Sequence, residues 1–303
     1  MRIYENPKST SENRLNARSW YIPEGSCKQI MLNGEWRFAF FENGDRAAEG
    51  IMTTDTKLKQ ISVSFTAGGK ECRIGGIAKG SGMIHPNMAT MLVFLTTDCA
   101  VSSEMLQKAL SSDVADTFNM VSVDGDTSTN DMVTLMANGM AGNLEICDEG
   151  EDFAAFMKAL NTVTVYLCRR IAADGEGATK LLECKVSGAE SILQAKTVAK
   201  SVICSSLVKA AMFGSDANWG RVAAAAGKCG VPFDQCVVDI DFMGVPVCRA
   251  GLTVPMDEDD MLRRFEAPEI GITVDLHSGD AHTRVWTCDL THDYVTINGD
   301  YRT

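Results

Sequence analysis

Histidine is scarce in this chain: His85, His277, His282 and His292 are the four in 303 residues. A histidine-rich metal site or a Ser-His-Asp triad has little to draw on. The eleven cysteines are odd in number and none stands in a Cys-x-x-Cys pair. Neither a zinc knuckle nor a dithiol redox motif is indicated, and free thiols in a cytosolic protein are the plain reading. Positive charge is also short: 28 basic residues face 40 acidic ones, for a formal charge of −12. A general nucleic-acid binder or a basic membrane-surface protein needs a cationic face, so neither class is expected. No apolar run approaches the ~18 residues of a membrane span. Residues 1–21, MRIYENPKSTSENRLNARSWY, lack the apolar stretch of a secretory signal, and the expected location is the cytoplasm.

What is present divides unevenly. Tyr4, Trp20, Tyr21, Trp36, Phe38, Phe40 and Phe41 crowd into residues 1–45, and Trp36-Arg37-Phe38-Ala39-Phe40 alternates like a strand. Glu42-Asn43-Gly44-Asp45 reads as a turn, and a boundary is placed there. From Arg46 onward Gly, Ala, Met, Val and Thr dominate. Strand patterns occupy 59–65, 72–74 (after a Gly68-Gly69-Lys70 turn), 89–96, 119–123, 181–186, 236–242, 245–252, 270–276 and 283–290. Helical patterns occupy 151–172 and 189–210, and Ser102 or Ser103 can cap a helix running to Leu110. The mixture predicts an α+β or layered α/β fold with much antiparallel sheet.

Two stretches could carry chemistry. Gly75–Gly82 holds four glycines and Lys79 in eight residues. It is no phosphate-binding loop, because the lysine precedes its glycine and an apolar strand follows instead of a helix. Such glycine density still implies positive φ or close approach of the backbone to something, with Lys79 either a placed cation or a solvated turn residue. Downstream, Thr90 opens an apolar strand after a small residue, Ala89, and a bend containing His85-Pro86. This suits a chain broken between Ala89 and Thr90 by the threonine hydroxyl. The new terminus would carry its own base, an α-amine of pKa about 8 that can take the hydroxyl proton. Such a nucleophile needs no histidine, and none of the four is assigned as a general base. An ordinary Ala-Thr pair at a strand start has the same appearance.

Longer motifs go further. Gly75–Leu92 (GGIAKGSGMIHPNMATML), Val123–Asp131 (VDGDTSTND), Ala137–Asn143 (ANGMAGN), Asp174–Lys180 (DGEGATK), Phe213–Arg221 (FGSDANWGR) and Cys288–Thr303 (CDLTHDYVTINGDYRT) resemble the ornithine acetyltransferases, the bifunctional glutamate N-acetyltransferases of arginine biosynthesis. The resemblance covers residues 46–303. It implies a layered α/β sandwich related to self-processing amidases and a precursor that cuts itself at Ala89-Thr90. Two α- and two β-chains would assemble as a heterotetramer. Residues 46–89 would be the remainder of the first chain and 90–303 the second. Thr90 would be the nucleophile that carries acetyl from N-acetylornithine to glutamate. Thr56, Lys79, Glu176, Asn298 and Thr303 match the substrate-binding positions, along with Thr90. The implied chemistry uses no metal and no bound cofactor, with acetyl-CoA a further acetyl donor in bifunctional members. Those roles are chemically reasonable: an amino-acid carboxylate suits Lys79, and an ammonium or amide suits Glu176.

The same comparison exposes departures. The family's Cys-Ser-Thr-Gly-Val-type motif, whose Thr-Gly pair forms the oxyanion hole, does not occur here. Residues 1–45 resemble instead the beginning of large β-galactosidases, in Glu5-Asn6-Pro7, Ala17–Pro23 and Leu32–Phe38. The chain is therefore expected to be a fusion, its leader outside the transferase fold and its sandwich incomplete on the N-terminal side. Two other readings stand beside the acetyltransferase: an inactive fusion or fragment without the oxyanion hole, and an amidase or aminopeptidase with a terminal nucleophile. The matched pocket residues favour the transferase.

Overall fold

The chain's structure is a computed structural model that describes residues 47–85, 91–127 and 130–300. These residues all belong to one compact unit.

Two sheets organise it. The first contains β1 (Lys59–Ala67), β2 (Lys70–Lys79), β3 (Leu92–Thr97) and β4 (Met132–Ala137) in that spatial order. β1, β2 and β3 are antiparallel neighbours, and β4 joins β3 in parallel. The second contains β5 (Leu181–Ala189), β6 (Asp239–Phe242), β7 (Val245–Arg249), β8 (Leu252–Thr253), β9 (Glu269–Asp275) and β10 (Ala281–Cys288), ordered β10-β5-β9-β6-β7-β8. Its β5–β9 pair is parallel and its other pairs are antiparallel.

The sheets are accompanied by α1 (Ser103–Asp116), α2 (Glu151–Ala173), α3 (Ile192–Ile203), α4 (Ser206–Phe213), α5 (Trp219–Gly227), α6 (Glu258–Phe265) and α7 (His292–Asp300). In α2, Phe153, Phe156, Leu160, Val163, Leu167 and Ile171 recur at helical spacing and all are buried. The helix packs on β1 and β2 of one sheet and reaches β10 and β5 of the other, which ties the two layers together. Glu151 and Asp152 in its first turn complement the helix dipole. Gly76 shows how tightly the layers meet. A Cβ there would lie 2.5 Å from the Leu95 side chain of β3 and 3.1 Å from the Leu167 side chain of α2, so a larger residue would displace these leucines.

The mixed, layered α/β class with much antiparallel sheet is observed. The strand at 59–65, the Gly68-Gly69 turn, the Ser102 cap of α1 and the helix at 151–172 fall close to their predicted places. Elsewhere the structure differs. Gly75–Lys79 is not a loop but the buried end of β2. Residues 118–120 form a 3₁₀ turn, and Val121 makes only a single bridge to Trp286. The helical pattern at 189–210 resolves into the end of β5 and two helices, because Ser205 turns the chain and its hydroxyl accepts the Val208 amide of α4. Residues 245–252 break into β7 and β8, since Ala250 and Gly251 take positive φ in a tight turn. The strand-like alternation at 36–40 lies outside the described residues. No helix among the described residues is long and apolar enough to cross a membrane.

Candidate active site

Three strand ends meet at one end of the first sheet. The register pairs Lys79, last in β2, with Leu92, first in β3, and Leu92 with Met132, first in β4. Met91 and Asp131 stand just before those last two strands, and the Met91 amide donates to Asp131 Oδ1. Strand pairing thus brings Lys79, the start of β3 and Asp131 together from three separate motifs.

Lys79 is buried, and its Nζ donates to Thr53 Oγ1 at 2.9 Å. The segment bearing Thr53 is held by a buried ion network. Asp55 accepts from the Gly80 amide at 2.7 Å and from Lys59 Nζ at 2.6 Å. Burial alone would raise the Asp55 carboxyl, but the Gly80 amide and the Lys59 ammonium outweigh it and hold it below its ordinary value. Lys59 also reaches Asp174, at 2.5 Å. Asp174 ends α2 and in turn receives the amides of Thr56 and Lys57.

Two residues on, Glu176 is half-buried and fixed from three directions. Its amide donates to the Ser81 carbonyl at 2.8 Å, Thr54 Oγ1 donates to Oε1 at 2.8 Å, and Asn298 Nδ2 donates to Oε2 at 2.8 Å. Gly82 has a reason in this contact. A Cβ at that position would sit 2.5 Å from the Glu176 carboxylate, so any larger residue there would push that carboxylate aside. The glycine-rich stretch therefore serves two close approaches, one to α2 at Gly76 and one to Glu176 at Gly82.

Asp124 fixes the chain that follows the glycine-rich stretch, up to His85. Its carboxylate accepts the Met83 and Ile84 amides at 2.6 and 3.0 Å and the Tyr294 hydroxyl at 3.3 Å. His85 follows, with Nδ1 at 3.1 Å from Ser122 Oγ and 3.5 Å from Cys204 Sγ. Burial, reinforced by Lys200, pushes this imidazole below its ordinary pKa and keeps it neutral at pH 7.

Of the residues singled out from sequence, Lys79, Glu176 and Asn298 lie in this region, with Glu176 and Asn298 in direct contact. Thr56 is nearby, but its hydroxyl donates to Asp174; the hydroxyl on Lys79 is that of Thr53. Ala89, Thr90 and Thr303 lie outside the described residues. Sequence reasoning did not single out Thr53, Thr54, Asp131 or Asp174. Asp131 and Asp174 sit inside motifs it quoted and Thr53 and Thr54 stand beside Thr56, so only tertiary pairing separates them from their neighbours.

The arrangement offers a buried cation with a hydroxyl beside it, a carboxylate held by an amide and a hydroxyl, and a strand start between them.

Known proteins resemble the chain over most of its length. The ArgJ family model matches residues 25–303, and so takes in residues 25–45, which the composition shift sets apart. The arginine biosynthesis bifunctional protein ArgJ of Symbiobacterium thermophilum is 52% identical over 262 residues, covering 86% of this chain and 65% of that protein. ArgJ 1 of Clostridium acetobutylicum is 49% identical over 280 residues, covering 90% of this chain and 69% of that protein. The chain thus spans about two thirds of the length of these curated relatives. The crystal structure of the arginine biosynthesis bifunctional protein ArgJ from Bacillus halodurans superposes with a TM-score of 0.67 at 43% identity, over 69% of this chain and 98% of that one. With its motifs, its two-sheet architecture and nearly its whole length matched, the chain belongs to the ArgJ family.

Proposed function

We propose that this chain is a glutamate N-acetyltransferase of arginine biosynthesis, cut by its own Thr90 hydroxyl into residues 46–89 and the leader on one side and residues 90–303 on the other. The observation that carries the reading is the convergence of Lys79, Glu176 and the start of β3 at one end of the first sheet. Lys79 with Thr53 suits the α-carboxylate of an amino acid, and Glu176 suits its nitrogen. The Bacillus halodurans chain adds support: 69% of this chain accounts for 98% of it, a share close to that of residues 90–303.

In this mechanism the neutral α-amine of Thr90 takes the hydroxyl proton as the oxygen attacks the acetyl carbonyl of N-acetylornithine. The C–N bond then breaks, the proton returns to the departing ornithine amine, and acetyl remains as an ester on Thr90. Glutamate's neutral amine attacks that ester and leaves as N-acetylglutamate, and the threonine hydroxyl is restored. Acetyl-CoA can load the same threonine in a bifunctional enzyme. Assembly as two pairs of cut chains in the cytoplasm belongs to the same reading.

Mass analysis of the intact purified protein tests it. Pieces corresponding to residues 1–89 and 90–303 are expected from the wild type and a single chain from Thr90→Ala. Acetyl transfer from N-acetylornithine to glutamate should vanish in Thr90→Ala. A soluble, folded wild-type chain that stays whole on prolonged incubation would refute the proposal.

A further inference from the structure

Cys72 stands near the start of β2, at the opposite end of that strand from Lys79. Strand register sets Cys99 against it. β2 and β3 pair Ile74 with Thr97. One step further, the Asp98 amide donates to the Arg73 carbonyl at 3.3 Å, and the Arg73 amide donates to Asp98 Oδ1 at 2.6 Å. The next pair in that register is Cys72 with Cys99. It follows a hydrogen-bonded pair, so it is of the close kind, in which antiparallel Cα atoms lie about 4.5 Å apart. A disulfide spans roughly 4.4–6.8 Å between Cα atoms.

Both side chains are fully buried, and the two thiols interact directly. Asn143 bridges them: its Oδ1 accepts from Cys72 Sγ at 3.8 Å, and its side chain also pairs with Cys99. The same Oδ1 accepts the Ala100 amide at 2.8 Å, which fixes the chain just after Cys99. Burial pushes both thiols up, Cys99 to about 12, so both are protonated at pH 7 and react slowly.

We infer that Cys72 and Cys99 form an oxidisable dithiol, and that its disulfide joins the two pieces produced by a cut at Ala89-Thr90. Cys72 precedes that bond and Cys99 follows it. The dithiol stands on the β2–β3 register alone; its role as a link rests on the self-cleavage reading above. The oxidant is a small peroxide. One sulfur attacks the O–O bond and becomes a sulfenic acid, and the displaced hydroxide leaves as water with the thiol proton. The second thiol attacks that sulfur, the S–S bond forms, the S–O bond breaks and a second water departs. Two thiols and one hydrogen peroxide thus give one disulfide and two waters. The two sulfurs lose the two electrons that the peroxide gains. Because both sulfurs are sealed, the sulfenic acid meets the neighbouring thiol before any bulky one.

The test maps the bond. Purified full-length protein is incubated with hydrogen peroxide and quenched with iodoacetamide. Unreduced peptides are read by mass spectrometry, beside a non-reducing denaturing gel. A peptide pair linked through Cys72 and Cys99 is expected, formed more slowly than the exposed Cys147 and Cys236 are oxidised. On the gel, residues 1–89 and 90–303 should then run as one species that dithiothreitol separates. Cys72→Ala and Cys99→Ala should each abolish that link. A cut chain whose Cys72 and Cys99 remain alkylated thiols, or become separate sulfinic or sulfonic acids, after Cys147 and Cys236 are consumed overturns the dithiol and leaves self-cleavage standing. The linked peptide in a chain that is never cut keeps the dithiol and overturns its role as a link. If a variant does not fold, the wild-type peptide map decides.

Discussion

The Lys59 ammonium stands 2.5 Å from the Asp174 carboxylate, both side chains sealed from solvent, and joins the first residue of β1 to the residue that ends α2. Asp55 completes the group at 2.6 Å. This contact holds the 53–57 segment against the turn that presents Glu176, so the candidate site has a charged frame beneath it.

Replacing Lys59 with Met should therefore leave two buried carboxylates facing each other without a cation. A loss of about 3–5 kcal/mol in unfolding free energy is expected, well beyond what the lost methylene packing explains. Urea denaturation of the variant beside the wild type measures it; a change below about 1 kcal/mol would show that the network is solvated in the molecule.

Thr53 and Thr56 of this segment should part company. Thr53→Val removes the hydroxyl on Lys79, and Lys79→Ala removes the cation, so both should weaken acetyl transfer chiefly through substrate binding. About 1.5–3 kcal/mol is expected for the loss of the charge. Thr56→Val removes a bond to Asp174 and should lower stability while leaving KM near the wild-type value. Steady-state kinetics with melting curves on the same preparations separates the two, and an equal KM effect from both threonines would count against this placement.

Gly82→Ala is expected to copy Glu176→Gln. The added Cβ would lie 2.5 Å from the Glu176 carboxylate, at the far end of a flexible side chain, so the carboxylate moves before the backbone does. Transfer should fall in both variants with little change in melting temperature. Full activity in Gly82→Ala would mean that the position of Glu176 does not matter to the reaction.

Asp131 should leave a mark on stability as a function of pH. Its carboxyl titrates at about 6 in the fold, above the ~3.9 of an unfolded aspartate, so ionisation is harder in the native chain. The unfolded state releases its proton first as pH rises, and native stability falls between about pH 4 and pH 6. In the uncut Thr90→Ala background, adding Asp131→Asn should remove that slope and gain relative stability at about pH 7 over about pH 4. Chemical denaturation at the two pH values is the measurement; parallel losses at both would show that Asp131 is ionised without penalty.

How far the sequence reaches depends on whether a residue's role is local. The core face of α2 was legible because Phe153 to Ile171 repeat with the helix period, and the Gly68-Gly69 turn because only a hairpin uses that pair between two alternating runs. The family was legible too, because Gly75–Leu92 and the motifs after it are long and ordered. Edge strand β4 was not, since neither of its faces is fully buried and its alternation is correspondingly weak. The break at Cys204-Ser205 was hidden inside a continuous helical pattern, because a serine cap competes with helix only once the chain has somewhere to turn. The site divides the same way. The sequence by itself determined which residue types are available: one lysine among glycines, a threonine after alanine, a glutamate in Asp174-Gly175-Glu176. Tertiary structure alone decided that Lys79 meets Thr53 while Thr56 turns to Asp174, that Gly82 exists to admit Glu176, and that Asp131 comes to lie beside Met91. Those pairings join residues as much as 118 positions apart, as Thr56 and Asp174 are, and pattern along a chain carries no information about which hydroxyl or carboxylate the fold will set against which partner.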